Sequence, residues 1–203
     1  MELGARRGQP ARNSVAVAVN PGHHGCVTDL HIAHTADLDS ADIKAARALL
    51  DDVFAGEMTD DDWEHGLGGM HALIWEGPAL IGHASLIQRR LLHHGRALRA
   101  GYVEAVAVRA DRQRRGHGAV MMAALERILR GAYDLGALGS TDEGVPFYLA
   151  RGWQLWRGPL SALTPAGVRR TPDDAGAIYV FELAVPLDLD AELTCDWRDG
   201  DVW

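Results

Sequence analysis

The chain is poor in cysteine and in long apolar runs, and several short motifs that announce common chemistries are missing. Its two cysteines, Cys26 and Cys195, are too few for a disulfide framework and lack metal-knuckle spacing, so a reducing cytoplasm is the expected compartment. No stretch approaches the length of a membrane span, which makes a membrane partner unexpected. The absence of a G-x-S-x-G elbow argues against a hydrolase triad built on Ser140 or Ser161. Neither a P-loop nor G-x-G-x-x-G occurs, which disfavours nucleoside triphosphate and nicotinamide chemistry. Histidine is present as ten residues, including His23-His24 and His93-His94. Adjacent strand positions point to opposite faces, and no further ligand stands at suitable spacing, so no metal is expected. Lysine is almost lacking: Lys44 stands alone, an arginine bias that says nothing about activity.

What is present is the composition of an ordinary globular protein, with 203 residues, 47% hydrophobic and 24% charged. No repeat is visible and no linker divides the part after residue 29, so residues 29–203 are expected to form one domain. Residues 1–28 read as a flexible extension. Arg6, Arg7 and Arg12 precede Val15-Ala-Val-Ala-Val19, but that run is too short for a secretory signal and no cleavage site follows. A net charge of -8 argues against a nucleic-acid partner. Its distribution says more. Eight arginines lie between Arg89 and Arg115 against Glu104 and Asp111, whereas nine acidic residues from Asp173 onward meet only Arg198. Glu57, Asp60, Asp61, Asp62 and Glu64 form another acidic cluster. A basic middle with acidic flanks fits an anionic cofactor meeting a cationic substrate. Taken alone, Asp60 to Asp62 read more readily as a helix cap that opposes the dipole than as a substrate site.

Periodicity gives an α/β (α+β) order of elements. Helices are expected over Asp42 to Phe54, after Asp60, from about Gly116, and over Val145 to Arg151. Strands are expected over Met70 to Trp75 and Leu80 to Leu92, joined by Glu76-Gly-Pro78, then over Leu98 to Val108, Leu135 to Leu138, Gln154 to Leu163 and Ile178 to Val185. Thr164 to Gly176 reads as an exposed excursion.

The richest signal is Tyr102-Val-Glu-Ala-Val-Ala-Val108 running into Arg112-Gln-Arg-Arg-Gly116-His117-Gly118. Alternation places Val103, Ala105 and Ala107 on one strand face and Tyr102, Glu104, Val106 and Val108 on the other. Gly116 and Gly118 let backbone N–H groups approach an anion at the start of the following helix, whose dipole favours negative charge. Arg112, Arg114 and Arg115 add positive charge around the turn. Two glycines and basic neighbours are also compatible with a plain solvated turn.

Gln113-x-x-Gly116-x-Gly118 after a valine-rich strand resembles the acetyl-coenzyme A signature of the GNAT acetyltransferases. Phe147-Tyr148-x-x-x-Gly152-Trp153 resembles that superfamily's later element, where Gly152 suits a left-handed helix stop. Longer segments, Asp60 to Trp75, Gln88 to Arg90, Gly101 to Glu104, Arg130 to Leu138, Arg170 to Asp174 and Leu193 to Trp203, resemble the aminoglycoside 2′-N-acetyltransferases from about residue 29 onward.

The resemblance implies a mixed, mostly antiparallel central sheet flanked by helices, with a strand splayed open for acetyl-CoA. It implies a cofactor site of Val106, Ala107, Val108, Gln113, Arg114, Arg115, Gly116, His117 and Gly118, with the Val106 N–H polarising the thioester. Glu104 is implied as general base and Tyr148 as the acid for the thiolate. Substrate contacts fall on Glu57, Asp62, Glu104, Ala105, Gly139, Asp173, Asp174, Asp201 and Trp203. Three departures from the family pattern are expected to bear on substrate preference: Glu57 for Asp, Ala105 for Gly and Gly139 for Ser. A homodimer is implied, with an aminoglycoside as small-molecule partner and resistance as the consequence. From the residues alone, Glu104 also reads as a buried acid paired to an arginine such as Arg99, Tyr148 as a core ring, and Trp203 as an apolar anchor. Alternative functions are acetylation of another amine, such as a cell-wall sugar, and a non-catalytic module for cationic ligands.

Overall fold

A computed structural model describes residues 14–15 and 28–203. The expected flexible extension over 1–28 falls outside the described residues, apart from Ser14–Val15 and Thr28, as do Cys26 and His23-His24.

The strands β1 (Ser14–Val15), β2 (Thr28–His34), β3 (Met70–Glu76), β4 (Ala79–His93), β5 (Arg96–Val108), β6 (Leu135–Gly139), β7 (Gln154–Leu155), β8 (Leu160–Thr164), β9 (Gly167–Arg170), β10 (Ile178–Glu182) and β11 (Leu193–Cys195) share one sheet. Its main path is β1-β2-β3-β4-β5-β6-β10-β7, and β11 joins the far half of β4 to β8 and β9. Among the described residues only β5–β6 and β8–β11 run parallel. The long β4–β5 hairpin is the spine. It turns at His94-Gly95, both with positive φ, the backbone a two-residue hairpin requires.

Among the described residues four α-helices flank the sheet: α1 (Ser40–Val53), α2 (Asp60–His65), α3 (His117–Ala132) and α4 (Val145–Leu149). The apolar stripe Met121, Met122, Leu125 and Leu129 seats α3 on Ala72, Ile74, Ile81, Ala84, Leu86 and Val103. Ala46 and Leu49 of α1 cover Leu73 and Leu80 on the opposite face. A second core around Trp156, Leu91, Leu193 and Trp203 lies under the β8–β11 side.

The structure corrects the sequence expectations in several places. Gln154 to Leu163 is two strands, because Gly158 and Pro159 interrupt it. A Cβ at Gly158 would stand 1.9 Å from the Ala191 carbonyl, and the Arg157 and Gly158 N–H groups both donate to Leu189 O. Thr164 to Gly176 is exposed as expected but carries regular structure: β8 and β9 form a hairpin and a 3-10 turn follows at Pro172–Asp174. The last long strand ends at Glu182 rather than Val185. The strands β1, β2 and β11 were not anticipated.

The alternation along β5 also breaks. Ser85 pairs with Glu104 but His83 pairs with Ala107, so β5 carries an extra residue there, and Ala105 takes φ 50°. Beyond this bulge the faces exchange. Val106 and Val108 join Val103 on the α3 side, while Tyr102 belongs to the second core.

Candidate active site

The bulge lies where the sheet opens. β5 pairs with β6 only from Ala100↔Leu135 to Val103↔Leu138. Beyond that point β6 continues with β10, ending at Ile178↔Gly139, and β5 loses its neighbour. The Arg109 N–H donates to Ile81 O on the β4 side at 2.9 Å. Backbone direction alternates along a strand, so the Val108 and Val106 N–H groups point the other way, into the opening. Gln113 Nε2 donates to Val108 O at 3.1 Å, tying the following turn to this edge.

At that turn Arg114 has φ 59° and Gly116 φ 87°, and α3 begins at His117. The first N–H groups of this four-turn helix lack intrahelical acceptors. A Cβ at Gly116 would meet nothing within 4 Å, so glycine is needed there for φ and leaves the backbone bare. Arg114 and Arg115 have no carboxylate partner among the described residues and extend from an exposed turn. Arg112 is different from expectation: it is bound to Glu76 and Asp111, both at 2.6–2.7 Å. His117 is buried, with Nδ1 lacking a hydrogen-bond partner among the described residues.

On the other side of the bulge lies a cleft of about 660 Å³. Of the expected site residues it gathers Glu57, Asp62, Glu104, Ala105, Val106, Gly139, Tyr148, Asp174, Asp201 and Trp203. Asp173 is exposed and does not line it. Asp62 serves in a capping box at the start of α2, accepting from Thr59 N at 2.9 Å and Thr59 Oγ1 at 2.7 Å. Burial pulls its pKa up, but these bonds outweigh it and hold the carboxyl below its ordinary value. Asp62 therefore caps a helix and lines the cleft at once. Asp60 instead pairs with Arg47.

Glu104 is paired, though not with Arg99, which bonds Asp134. Its partner is Arg198, whose Nη1 donates to Glu104 Oε1 at 2.5 Å. Burial raises the Glu104 pKa, and the Arg198 charge opposes that rise without cancelling it. Arg198 also holds the chain's last residues, donating to Asp201 O at 2.7 Å and Trp203 O at 2.6 Å. Arg89, buried beside it, donates to Asp196 and to Val202 O. Trp203 is the expected apolar anchor as well as a cleft residue: its ring is buried and Nε1 donates to Thr171.

Tyr148 sits on the first turn of α4 below the opening, and burial pushes its hydroxyl up to about 12. Burial likewise raises Asp174. Sequence reasoning missed Arg198, His65, Phe54 and Met58 in the lining. The His65 pKa is lowered by burial and by Arg198, and its ring bonds Asp199 O at 2.8 Å. Among the described residues no cluster of three or more His, Cys, Asp or Glu is arranged to hold a metal. No described helix is long and apolar enough to cross a membrane.

A strand parted from its neighbour, continued by a glycine-bearing turn and a bare helix N-terminus, is the architecture of acyl transfer from coenzyme A thioesters. The chain belongs to the GNAT acetyltransferase family: the acetyltransferase (GNAT) domain matches residues 34–156. It is 50% identical over 187 residues, 90% of this chain and 96% of its relative, to an aminoglycoside 2′-N-acetyltransferase of Mycolicibacterium fortuitum. Among solved structures, Escherichia coli ElaA superposes with TM-score 0.55 at 18% identity, covering 76% of this chain and 99% of that one. An acyl-CoA N-acyltransferase from Pseudomonas aeruginosa gives 0.54 at 15% identity, with coverage of 76% and 99%. These two show the fold alone. The chain is an acetyltransferase, and enzymes of its family use acetyl-CoA.

Proposed function

We propose that this enzyme transfers the acetyl group of acetyl-CoA to the 2′-amino group of aminoglycosides, and so confers resistance to them. The observation that carries the reading is the union of a carboxylate-lined cleft with the open β5 edge at one bulge. Glu57, Asp62, Asp174 and Asp201 suit a polycationic sugar, and the 50% identical relative has this activity in its name.

The residues divide the chemistry. The pantetheine arm adds to the β5 edge like a strand, on the backbone of Val106, Ala107 and Val108. The turn from Gln113 to Gly118, with Arg114 and Arg115, holds the diphosphate. Because a Cβ at Gly116 would enter open space, the glycine leaves room for phosphate oxygens. In the transfer, the amine nitrogen bonds to the thioester carbon and the C–S bond breaks. Val106 N–H stabilises the oxygen charge. Glu104, whose charged form burial disfavours and Arg198 favours, takes the amine proton through a bridging water. Tyr148 stays protonated at neutral pH, since burial lifts its hydroxyl to about 12, and gives its proton to the departing thiolate. Glu57, Asp62, Ala105, Gly139, Asp174, Asp201 and Trp203 bind the sugar, and Asp173, outside the cleft, makes no direct contact with it. By family resemblance the enzyme works as a cytoplasmic homodimer.

The test compares aminoglycosides bearing a 2′-amine with those bearing a 2′-hydroxyl, following coenzyme A release and product mass. Acetylation restricted to the amine series is expected. Equal turnover of both series, or none, would overturn the assignment.

A further inference from the structure

Ala105 occupies a conformation that alanine rarely adopts. Its φ of 50° is left-handed, where the Cβ of an L-residue crowds the following carbonyl oxygen. On either side of this peptide stand Glu104 and Val106, so any relaxation of the bend would move both the carboxylate and the N–H that face the cleft. Two side chains of β4 reach the bend: Ser85 Oγ donates to Glu104 O at 3.4 Å, and His83 Nδ1 donates to Ala105 O at 2.9 Å.

The His83 bond is the end of a series. A carbonyl only accepts, so His83 Nδ1 carries the proton and, in a neutral ring, Nε2 is bare. That nitrogen lies 3.0 Å from His71 Nδ1 on β3, which must then be the donor. His71 Nε2 is left as an acceptor, 2.8 Å from Thr35 Oγ1 at the end of β2. Thr35 in turn accepts from Gly68 N at 2.8 Å. Both rings are fully buried on the α1 face of the sheet. Burial lowers His83 to about 4 and His71 to about 3, so neither takes a second proton near neutral pH. The Thr35 hydroxyl has one hydrogen and two acceptors in reach, His71 Nε2 at 2.8 Å and Gly69 O at 3.2 Å; given to the nearer one, it completes the only arrangement in which both ring–ring and ring–hydroxyl links are made.

We propose that Thr35, His71 and His83 form a positioning relay that anchors the Ala105 carbonyl and keeps the bulge bent, so that Glu104 and the Val106 N–H converge on one reacting centre. The proposal rests on the acetyl-transfer reading above. None of the three lines the cleft; they act through Ala105.

Nitrogen-15 NMR of the unsubstituted protein tests the proton arrangement with no substrate present. Both His71 and His83 are expected as Nδ1–H tautomers, and Nε2–H in either would overturn the relay. Kinetics test its purpose. His83→Phe should lower kcat about ten-fold or more, with both KM values within about two-fold, because misplaced donors weaken transition-state contacts more than binding. Thr35→Val, a milder change remote from the cleft, should lower kcat a few-fold, and Thr35→Ser should restore it. In an Ala105→Gly background, where φ 50° carries no penalty, His83→Phe should cost less than in the parent. Unchanged kcat in folded variants, equal losses for Thr35→Ser and Thr35→Val, or strictly additive effects with Ala105→Gly would each sink the proposal. Absence of turnover in the unsubstituted protein would instead sink the acetyl-transfer reading, leaving the relay to the NMR result.

Discussion

Replacing Arg198 with methionine keeps most of the side-chain volume and removes the cation that faces Glu104. The pair is little exposed, 14% for the arginine side chain and 16% for the glutamate, so solvent screens it weakly. An opposite charge at such range lowers a carboxyl pKa by about 1–3 units, each worth about 1.36 kcal/mol. In the parent, burial already holds Glu104 above its ordinary 4.5 despite Arg198. Without the arginine, the acidic limb of log kcat/KM, read from coenzyme A release across the pH range, should move up by about 1–3 units. Arg198→Lys keeps the charge and should leave the limb close to its parental place. Stability should follow with a defined sign. A carboxyl raised in the folded state makes the folded chain bind more protons than the unfolded chain between 4.5 and the folded value, so stability falls as pH rises through that window. Arg198→Met extends the window upward, and its stability deficit should be larger in alkali than in acid. Superposition of the acidic limbs of parent and Arg198→Met would refute the coupling of this pair to catalysis.

Tyr148→Phe should lower kcat by about 10²-fold with little change in either KM; an unchanged kcat would remove the hydroxyl from the chemistry. Gly116→Val places a β-branched residue at φ 87° and fills the cradle, so the acetyl-CoA KM should rise about ten-fold or more while the aminoglycoside KM holds. Equal KM values would place the diphosphate elsewhere. Glu126, buried in α3, accepts from Arg151 at 2.8 Å twice and from the Trp153 ring at 3.2 Å. Glu126→Ala strands both donors and should cost about 3 kcal/mol, lowering Tm by roughly 6–12 °C by calorimetry.

Locally encoded parts of the site were legible in the sequence. Gly116 and Gly152 both take the left-handed backbone their motifs demand, with φ 87° and 90°, and Tyr148 falls where the helix before Gly152 places it. Pairings across long separations were not. Arg198 reaches Glu104 over 94 residues, and nothing near either residue marks the other, so a closer arginine was the natural expectation. The β8–β9 hairpin was hidden because Thr164-Pro-Ala-Gly167 reads as loop chemistry, and β9 is too exposed to show an apolar period. Ala105 is the sharpest case. A glycine there would have announced a bend, whereas alanine in a valine-rich run reads as plain strand, and the extra residue then inverts every face that follows.

The parting of β5 from β6 leaves a signature that deuterium can read. Along one strand the amide of Ala107 is locked into the ladder with β4, while those of Val106 and Val108 look into the gap. Solvent exchange should therefore trace a sawtooth of slow and fast residues over barely 7 Å of backbone. Anything that docks as an additional strand would level the teeth, making this short segment an occupancy gauge that works without turnover.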